Sequence, residues 1–314
     1  MRGRRPVSAP EDPGVKRSTL TRALRAVAHA VVRFSGAALI ARHTIQAGRV
    51  TVVAYHDPDP DTFEQHMALL SRLYSIISLD TLTGAMREGD FTKLPKRPLL
   101  VTLDDGWASN ARLLPTFAQR RIRPTVFITT SIVGTDRHFW WTHVPDARER
   151  ERLKTLPSGE RLRALEAVGY SPQTEYPDRA ALSLDEVAEM APHVDFGAHT
   201  RSHPILPRCD ADEAEREILG SADDVERMTG RRASAFAYPN GDHSPRDVDL
   251  VRRAGCDCAF TVEPGYVTAA SDPYLLSRVF INERAGTTEV ISAASGVYAI
   301  ALGAVKRVAG ARER

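Results

Sequence analysis

The sequence predicts an α/β fold in which parallel strands and helices form a (β/α) barrel, with extra helices at both ends of the chain. Eight short apolar runs alternate with helical patterns, and this alternation is typical of parallel βαβ units. The polar residues that could carry chemistry follow the predicted strands, and a barrel gathers its strand ends on one face. A doubly wound open sheet also places ligands at strand ends, and it is the second interpretation.

The composition is that of one main globular domain with appendages. The 314 residues are 42% hydrophobic and 26% charged, which is enough for one large core. The 42 basic and 40 acidic side chains give a formal charge of +2, so the sequence offers no broad positive field for nucleic acid. Cys209, Cys256 and Cys258 are too few for a disulfide framework and indicate packing roles in a reducing compartment.

Two segments precede the predicted barrel. Residues 1–17 are rich in Arg, Pro and Gly and predict a disordered basic tail. Residues 18–47 carry apolar side chains at spacings of three and four, which predicts one or two amphipathic helices. Arg25, Arg33 and Arg42 interrupt this apolar run, so we predict no signal peptide and a cytoplasmic protein. We expect the apolar side chains of these helices to pack against the barrel, and peripheral contact with a membrane is the alternative.

The barrel elements then follow in order. The predicted strands cover residues 49–56, 74–78, 99–103, 125–130, 194–198, 233–238, 258–262 and 278–281. The predicted helices cover residues 61–73, 79–88, 109–121, 184–190, 210–229 and 247–254.

Two stretches depart from this alternation. Residues 134–181 are charged and contain leucines, which predicts a helical insertion on a barrel loop. Within it, Trp140 and Trp141 could form a sugar platform or could anchor the insertion to the barrel. Residues 290–305 carry no charge but are fewer than the roughly 20 needed to cross a bilayer, so they predict a terminal packing helix.

The barrel is organised around the run from Leu99 to Gly106, which ends in two adjacent carboxylates. Asp104 and Asp105 lie where the apolar strand stops, and Gly106 allows a sharp turn. Successive strand residues point to opposite sides, so the two carboxylates can have different tasks. An ordinary Asp-Gly turn is the alternative.

A pair of histidines follows the predicted strand at 194–198. His199 and His203 are four residues apart, which places both imidazoles on one side of a helical turn. Two imidazoles and a carboxylate, with open positions for water and substrate, are typical of catalytic zinc. Solvated or capping histidines are the alternative, and the Asp-Asp-Gly run favours the metal interpretation.

These motifs resemble those of the polysaccharide deacetylases, carbohydrate esterase family 4, which share the NodB homology domain. Residues 102–106 (Thr-Leu-Asp-Asp-Gly) are similar to the first motif, with Leu103 in place of Phe. Residues 199–203 (His-Thr-Arg-Ser-His) match the second, and residues 236–241 (Phe-Ala-Tyr-Pro-Asn-Gly) resemble a variant of the third. The likeness extends over about residues 50–282.

The resemblance implies a fold and a domain organisation. The expected fold is a distorted (β/α) barrel of the NodB type with seven strands, so the short strand near Ile76 or another weak candidate should lie outside the ring. Residues 48–286 would form the catalytic domain, with the insertion at about 134–181, and residues 287–314 would form a C-terminal helix.

The resemblance also implies roles for individual residues. Asp105, His199 and His203 would bind the metal, and Asp104 would be the general base. Arg278 is similar to the strand-end arginine that orients the catalytic Asp in relatives, although a capping role is the alternative. Tyr238 or a neighbouring backbone N–H would donate a hydrogen bond to the oxyanion.

One expected residue is missing. Family members supply a general-acid histidine near the C-terminal end of the barrel, whereas the ten histidines here stop at His243. His56, at the end of the first strand, and His243 are the candidate substitutes. A histidine bound to a loop or simply solvated is the alternative at each position.

The implied function is a metal-dependent hydrolase that removes acetyl groups from an N-acetylated or O-acetylated sugar or polysaccharide. Zn²⁺ is the expected cofactor, with Co²⁺ or Ni²⁺ as alternatives, and it would activate water for attack on the acetyl carbonyl. A carbohydrate-binding relative without catalysis, and an amidase or deformylase acting on a small or lipid-linked substrate, are the competing functions. Nucleic acid and a transmembrane span are not expected.

Overall fold

The computed structural model describes residues 19–297, and side-chain burial is described from residue 26 onward. The predicted basic tail at 1–17 and the last part of the predicted C-terminal helix lie outside the described residues. Among the described residues, no helix is long and apolar enough to span a bilayer.

The strands form one parallel sheet that curls into a distorted barrel. The strands are β1 (Thr51–Tyr55), β2 (Ser75–Ile77), β3 (Pro98–Leu103), β4 (Thr125–Ile128), β5 (Asp195–Ala198), β6 (Ala235–Ala237), β7 (Cys258–Phe260) and β8 (Val279–Phe280). Seven of them are paired in the order β7–β6–β5–β4–β3–β1–β8, and a parallel bridge between Phe260 and Leu276 joins the two ends of the series. The short strand β2 lies off this path and pairs with β3, which confirms the expectation for the strand near Ile76.

Eleven α-helices surround the sheet in the described part of the chain. They are α1 (Thr19–Phe34), α2 (Ala37–His43), α3 (Pro60–Leu73), α4 (Leu79–Glu88), α5 (Leu114–Arg120), α6 (Ala147–Lys154), α7 (Ser158–Glu166), α8 (Leu184–Met190), α9 (Ala211–Thr229), α10 (Pro245–Arg253) and α11 (Thr287–Ala294). The barrel predicted from the alternation of strands and helices is thereby confirmed.

Several predicted helices differ in detail. The helix expected at 109–121 is a 3₁₀ turn over Ala108–Leu113 followed by α5, because Pro115 near the start of α5 cannot donate to the preceding turn. The insertion contains two helices: α6 ends at Lys154, and α7 begins at Ser158, directly after Pro157. The N-terminal stretch is also two helices, and Gly36, with φ of 80°, separates α1 from α2.

The core has two layers, because strand residues alternate between the two faces of the sheet. Val53 and Val101 face outward and pack with Phe63 of α3, whereas Val52 and Leu100 face the barrel interior. Every residue of β1 and β3 is buried, which explains why both strands are continuous apolar runs in the sequence.

The packing between β4, β5 and β6 gives a stability prediction. A Cβ atom added at Gly197 would lie 2.6 Å from the ring of Phe127 and 2.9 Å from the carbonyl oxygen of Ala235. Overpacking of this kind typically costs about 1–3 kcal/mol, so Gly197→Ala should lower the free energy of unfolding, measured by urea denaturation, by that amount. Gly84→Ala on α4, where a Cβ atom meets nothing within 4 Å, is the matched control and should not destabilise the protein. Equal stability of the two variants would contradict the packing argument.

Candidate active site

The predicted site residues lie beside the ends of four strands of the barrel. His56 follows β1, Asp104 and Asp105 follow β3, and His199 follows β5, while Arg278 directly precedes β8. Because the strands are parallel, the residues that follow them meet at one end of the barrel. The fold therefore brings together side chains that are more than 200 positions apart in the sequence.

Asp105, His199 and His203 form a compact buried cluster. One ligand atom from each residue lies within 4.8 Å of the other two. Oδ1 of Asp105 is 3.5 Å from Nε2 of His199 and 3.6 Å from Nε2 of His203. All three side chains are less than a tenth exposed, so water does not screen them from one another.

Hydrogen bonds fix the orientation of two members of this cluster. Nε1 of Trp107 donates to Oδ2 of Asp105 at 2.9 Å, which leaves Oδ1 facing the histidines. Nδ1 of His199 lies 2.7 Å from the carbonyl oxygen of Ala237. Since a carbonyl can only accept, Nδ1 carries a proton, and Nε2 is the ring atom that faces Asp105.

His203 is held by packing rather than by a hydrogen bond to its ring. Burial and the neighbouring His199 lower the pKa of His203 to about 3, so the imidazole is neutral at ordinary pH. The ring of Trp141 packs on it with centroids 4.4 Å apart, and Nε1 of Trp140 donates to its backbone carbonyl at 3.0 Å. Its Nδ1 has no hydrogen-bond partner among the described residues.

The backbone is strained where it carries these residues. Asp105, Thr200 and His203 have φ values of 73°, 62° and 56°, in the left-handed region that costs non-glycine residues of order 1–3 kcal/mol each. The loop is kept in this shape by Glu217 of α9, whose carboxylate accepts hydrogen bonds from the two backbone amides after Thr200 at 2.8 and 2.9 Å. Oγ1 of Thr200 accepts a further bond, at 3.0 Å, from the amide of His203.

Asp104 is paired with Arg278 inside the barrel. Nη1 and Nη2 of Arg278 donate to the two carboxylate oxygens at 2.7 and 2.9 Å. Burial opposes the charge on Asp104, but the guanidinium outweighs it and the pKa of this carboxyl is lower than its ordinary value. Asp104 is therefore an ionised acceptor beside the cluster.

His56 lies at the rim of the same pocket, close to a carboxylate. Its ring is stacked on Phe280 with centroids 5.2 Å apart, and its Nδ1 is 3.7 Å from Oε1 of Glu283. The same oxygen accepts from the backbone amides of His56 and Asp57 at 2.8 and 2.7 Å. Burial lowers the pKa of His56, but Glu283 and the carboxylates of the site outweigh this effect and raise the pKa to about 9.

The helical insertion closes one side of the pocket. Trp140 is buried in a small core that the insertion forms with residues such as Leu165, and Trp141 packs against this core. Both tryptophans line the pocket, as do Arg150 and Lys154 of α6. Trp140 therefore anchors the insertion and also contributes to the pocket lining.

Two predicted residues do not reach the cluster. Tyr238 is fully buried, lies between Phe236 and His243, and does not line the pocket; its hydroxyl has no hydrogen-bond partner among the described residues. Its backbone amide donates to Phe260, so it is not available to a substrate either. His243 lies 2.9 Å from the carbonyl of Gly241 through Nδ1 and is likewise outside the pocket lining.

The structure adds three residues that the sequence did not single out. Trp107 orients Asp105, Glu217 holds the histidine loop, and Glu283 contacts His56. Trp107 directly follows the Asp-Asp-Gly motif, and this adjacency was the only local signal for it. Glu217 and Glu283 carry no such signal, because each reaches the site through a long-range contact.

Solved structures with the same fold were found by comparison of coordinates. The deacetylase PplD from Streptococcus pyogenes, solved with acetate, has a TM-score of 0.58 and 17% identity, and the match covers 79% of this chain and 98% of that one. BC0361, a polysaccharide deacetylase from Bacillus cereus, has a TM-score of 0.57 and 21% identity over 79% and 69%. IcaB from Ammonifex degensii has a TM-score of 0.57 and 18% identity over 80% and 98%. At these identities the likeness shows a common fold.

The family is shown by the sequence itself. Curated proteins give no significant match to the chain. The sequence profile named polysaccharide deacetylase matches residues 92–259, which is more than half of the chain and includes all three motifs. The chain therefore belongs to the polysaccharide deacetylase family and is a hydrolase that acts on the acetyl groups of polysaccharides.

Proposed function

We propose that this protein is a metal-dependent deacetylase that removes N-acetyl groups from an acetylated polysaccharide. The observation that carries the proposal is the buried cluster of Asp105, His199 and His203 beside the ionised Asp104. PplD and BC0361, whose fold this chain shares, support the reaction class, since PplD is a deacetylase solved with acetate and BC0361 is a polysaccharide deacetylase.

The cluster has the properties that a divalent metal requires. Its donors are two imidazoles and a carboxylate, a set that suits Zn²⁺ first and Co²⁺ or Ni²⁺ next. Tetrahedral ligands with bonds of 2.0–2.1 Å are separated by about 3.4 Å, close to the 3.5 and 3.6 Å measured here. Nε2 of His199 and Nε2 of His203 both face Oδ1 of Asp105, so the three ligand atoms converge on one point where a cation could bind.

The bound ion would polarise the acetyl carbonyl and lower the pKa of a water ligand. Asp104 then acts as the general base and accepts the proton of the attacking water. Arg278 holds both carboxylate oxygens of Asp104, so the carboxylate is ionised and fixed before the substrate arrives. Its low pKa makes it a weak base, so its effect depends on position rather than on basicity.

His56 supplies the proton that the leaving amine needs. Amide nitrogen is a poor leaving group unless it is protonated, and His56 is the histidine of the pocket rim that a metal cluster does not use. Its raised pKa keeps the ring protonated at neutral pH, and Glu283 keeps the ring and its backbone in place. This pair takes the place of the histidine that is absent beyond His243 in the sequence.

The metal assignment predicts a stoichiometry. The purified protein should bind about one divalent ion per chain, and His199→Ala should lose it, because two remaining ligands do not complete a stable site. Trp107→Phe removes the donor to Asp105 and should weaken binding by about 10–100-fold. Metal analysis and chelator competition measure both effects. His243→Ala is the matched histidine control, and equal metal content in His199→Ala and His243→Ala would exclude the assignment.

The base assignment predicts a separation of binding from catalysis. Asp104→Asn should keep the metal but lose about 10²–10⁴-fold in kcat, the usual contribution of a general base. Circular dichroism and metal analysis show whether the variant is folded and loaded, since the change also leaves Arg278 with a neutral partner. Loss of the metal in Asp104→Asn together with its retention in Asp105→Asn would mean that the two roles are exchanged.

The acid assignment predicts a pH dependence. Because His56 must be protonated to act, turnover of N-acetyl substrates should fall as the pH rises through about 9. Glu283→Gln keeps an acceptor for the two backbone amides but removes the charge that raises the pKa, so this limb should move to lower pH.

Substitution of the histidine itself provides the second test of this role. His56→Ala should lower amide turnover far more than turnover of O-acetyl esters, whose alkoxide is protonated more readily by water. His243→Ala, outside the pocket lining, is the control with expected full activity. Full amide turnover by His56→Ala would exclude it as the acid.

A further inference from the structure

The first two helices present an apolar surface to solvent. Val27, Val31 and Phe34 of α1 are 59%, 59% and 75% exposed, and Leu39 and Ile40 of α2 are 52% and 60% exposed. We call these five residues the α1–α2 face. The spacing of four and three along α1 places Val27, Val31 and Phe34 on one stripe of that helix, so their exposure is not that of isolated side chains.

The opposite side of these helices is attached to the barrel. His29 is buried on α1 and lies 4.0 Å from Glu289 of α11, against which α1 packs. After α2, the side chain of Gln46 donates to Thr51 of β1 at 2.6 Å and to the carbonyl of Ala294 at 3.0 Å. The two helices therefore pack on the barrel, but they do so through their other side, and the described residues leave the expected apolar stripe exposed at the α1–α2 face.

The sequence around this face carries only positive charge. No Asp or Glu occurs from residue 13 to residue 56. Arg33 is exposed, and its guanidinium lies 5.5 Å from the ring centroid of Phe34, so it can hold its charge at the edge of the apolar surface. The cations of this stretch are Lys16, Arg17, Arg22, Arg25, Arg33, Arg42 and Arg49, of which Arg42 is buried and Arg33 and Arg49 are exposed.

We propose that the α1–α2 face binds the surface of a lipid bilayer that contains anionic lipids. Apolar side chains flanked by cations without carboxylates are the pattern of helices that lie in the interface of such a bilayer. The 16 residues of α1 give a helix about 24 Å long at 1.5 Å per residue, which suits a position along the surface. A second copy of this chain is a poorer partner, because it would bring two positively charged faces together.

The face is separate from the proposed chemistry. None of its five residues lines the pocket that contains Asp105 and His56. Substitutions on the face should therefore leave the hydrolysis of soluble substrates unchanged, and membrane binding can be tested whether or not the metal assignment is correct.

Co-sedimentation of the full chain with vesicles tests the proposal. The protein should pellet with vesicles of phosphatidylcholine and phosphatidylglycerol in equal parts and much less with phosphatidylcholine alone. Binding should weaken at about 1 M salt, where the screening length falls to about 3 Å. The double variant Val31→Asp, Phe34→Asp should bind the mixed vesicles at least about tenfold more weakly, because it replaces apolar contact with charge of the wrong sign.

A control variant and a second measurement decide between the partners. Val168→Asp lies on the insertion at a site that is 59% exposed, like Val31, and should bind vesicles as the wild type does. Circular dichroism checks that both variants are folded. Wild-type protein that stays in solution with the mixed vesicles, or a double variant that binds them fully, overturns the proposal. A dimer in light scattering that the double variant abolishes, without vesicle binding by the wild type, would overturn it in favour of self-association.

Discussion

The guanidinium of Arg278, buried inside the barrel, connects the proposed catalytic base to the strands where the barrel closes. Arg278 donates to both oxygens of Asp104, and its Nε donates to the carbonyl of Thr261 at 3.0 Å. It thereby links the end of β3 to the segments that follow β7 and precede β8, where the barrel closes through a single bridge and a two-residue strand. Removing one partner of a buried ion pair typically costs 3–5 kcal/mol, so barrel closure and the position of the proposed base depend on the same contact.

Three aromatic rings stabilise the buried guanidinium of Arg278. The rings of Phe127, Phe260 and Phe280 surround the guanidinium with centroids 5.3–5.8 Å from its central carbon. They exclude water, which strengthens the ion pair, and their faces attract the cation. The interior of the barrel is therefore not a purely apolar core. At the end that carries the site, it holds a charged pair, Asp104 and Arg278, before any substrate binds.

Much of the site could be predicted because it follows from local sequence. The Asp-Asp-Gly run ends a strand and the two histidines follow another, so parallel strands were sufficient to place Asp104, Asp105 and His199 together. The position of Tyr238 also follows from its strand. Phe236 faces the outer core layer, and strand alternation gives Tyr238 the same direction, away from the pocket. Contacts made by Glu217 and Glu283 depend on how helices and loops pack, which no local pattern encodes.

The left-handed backbone at Thr200 affects which substitutions at this position would stabilise the protein. A β-branched residue in that region is disfavoured, and Gly or Asn would relieve the strain while leaving the loop free to adopt other shapes. Substitutions there would thus tend to make the protein more stable and less active at once. Selection for stability alone would therefore tend to change the geometry of the histidine loop.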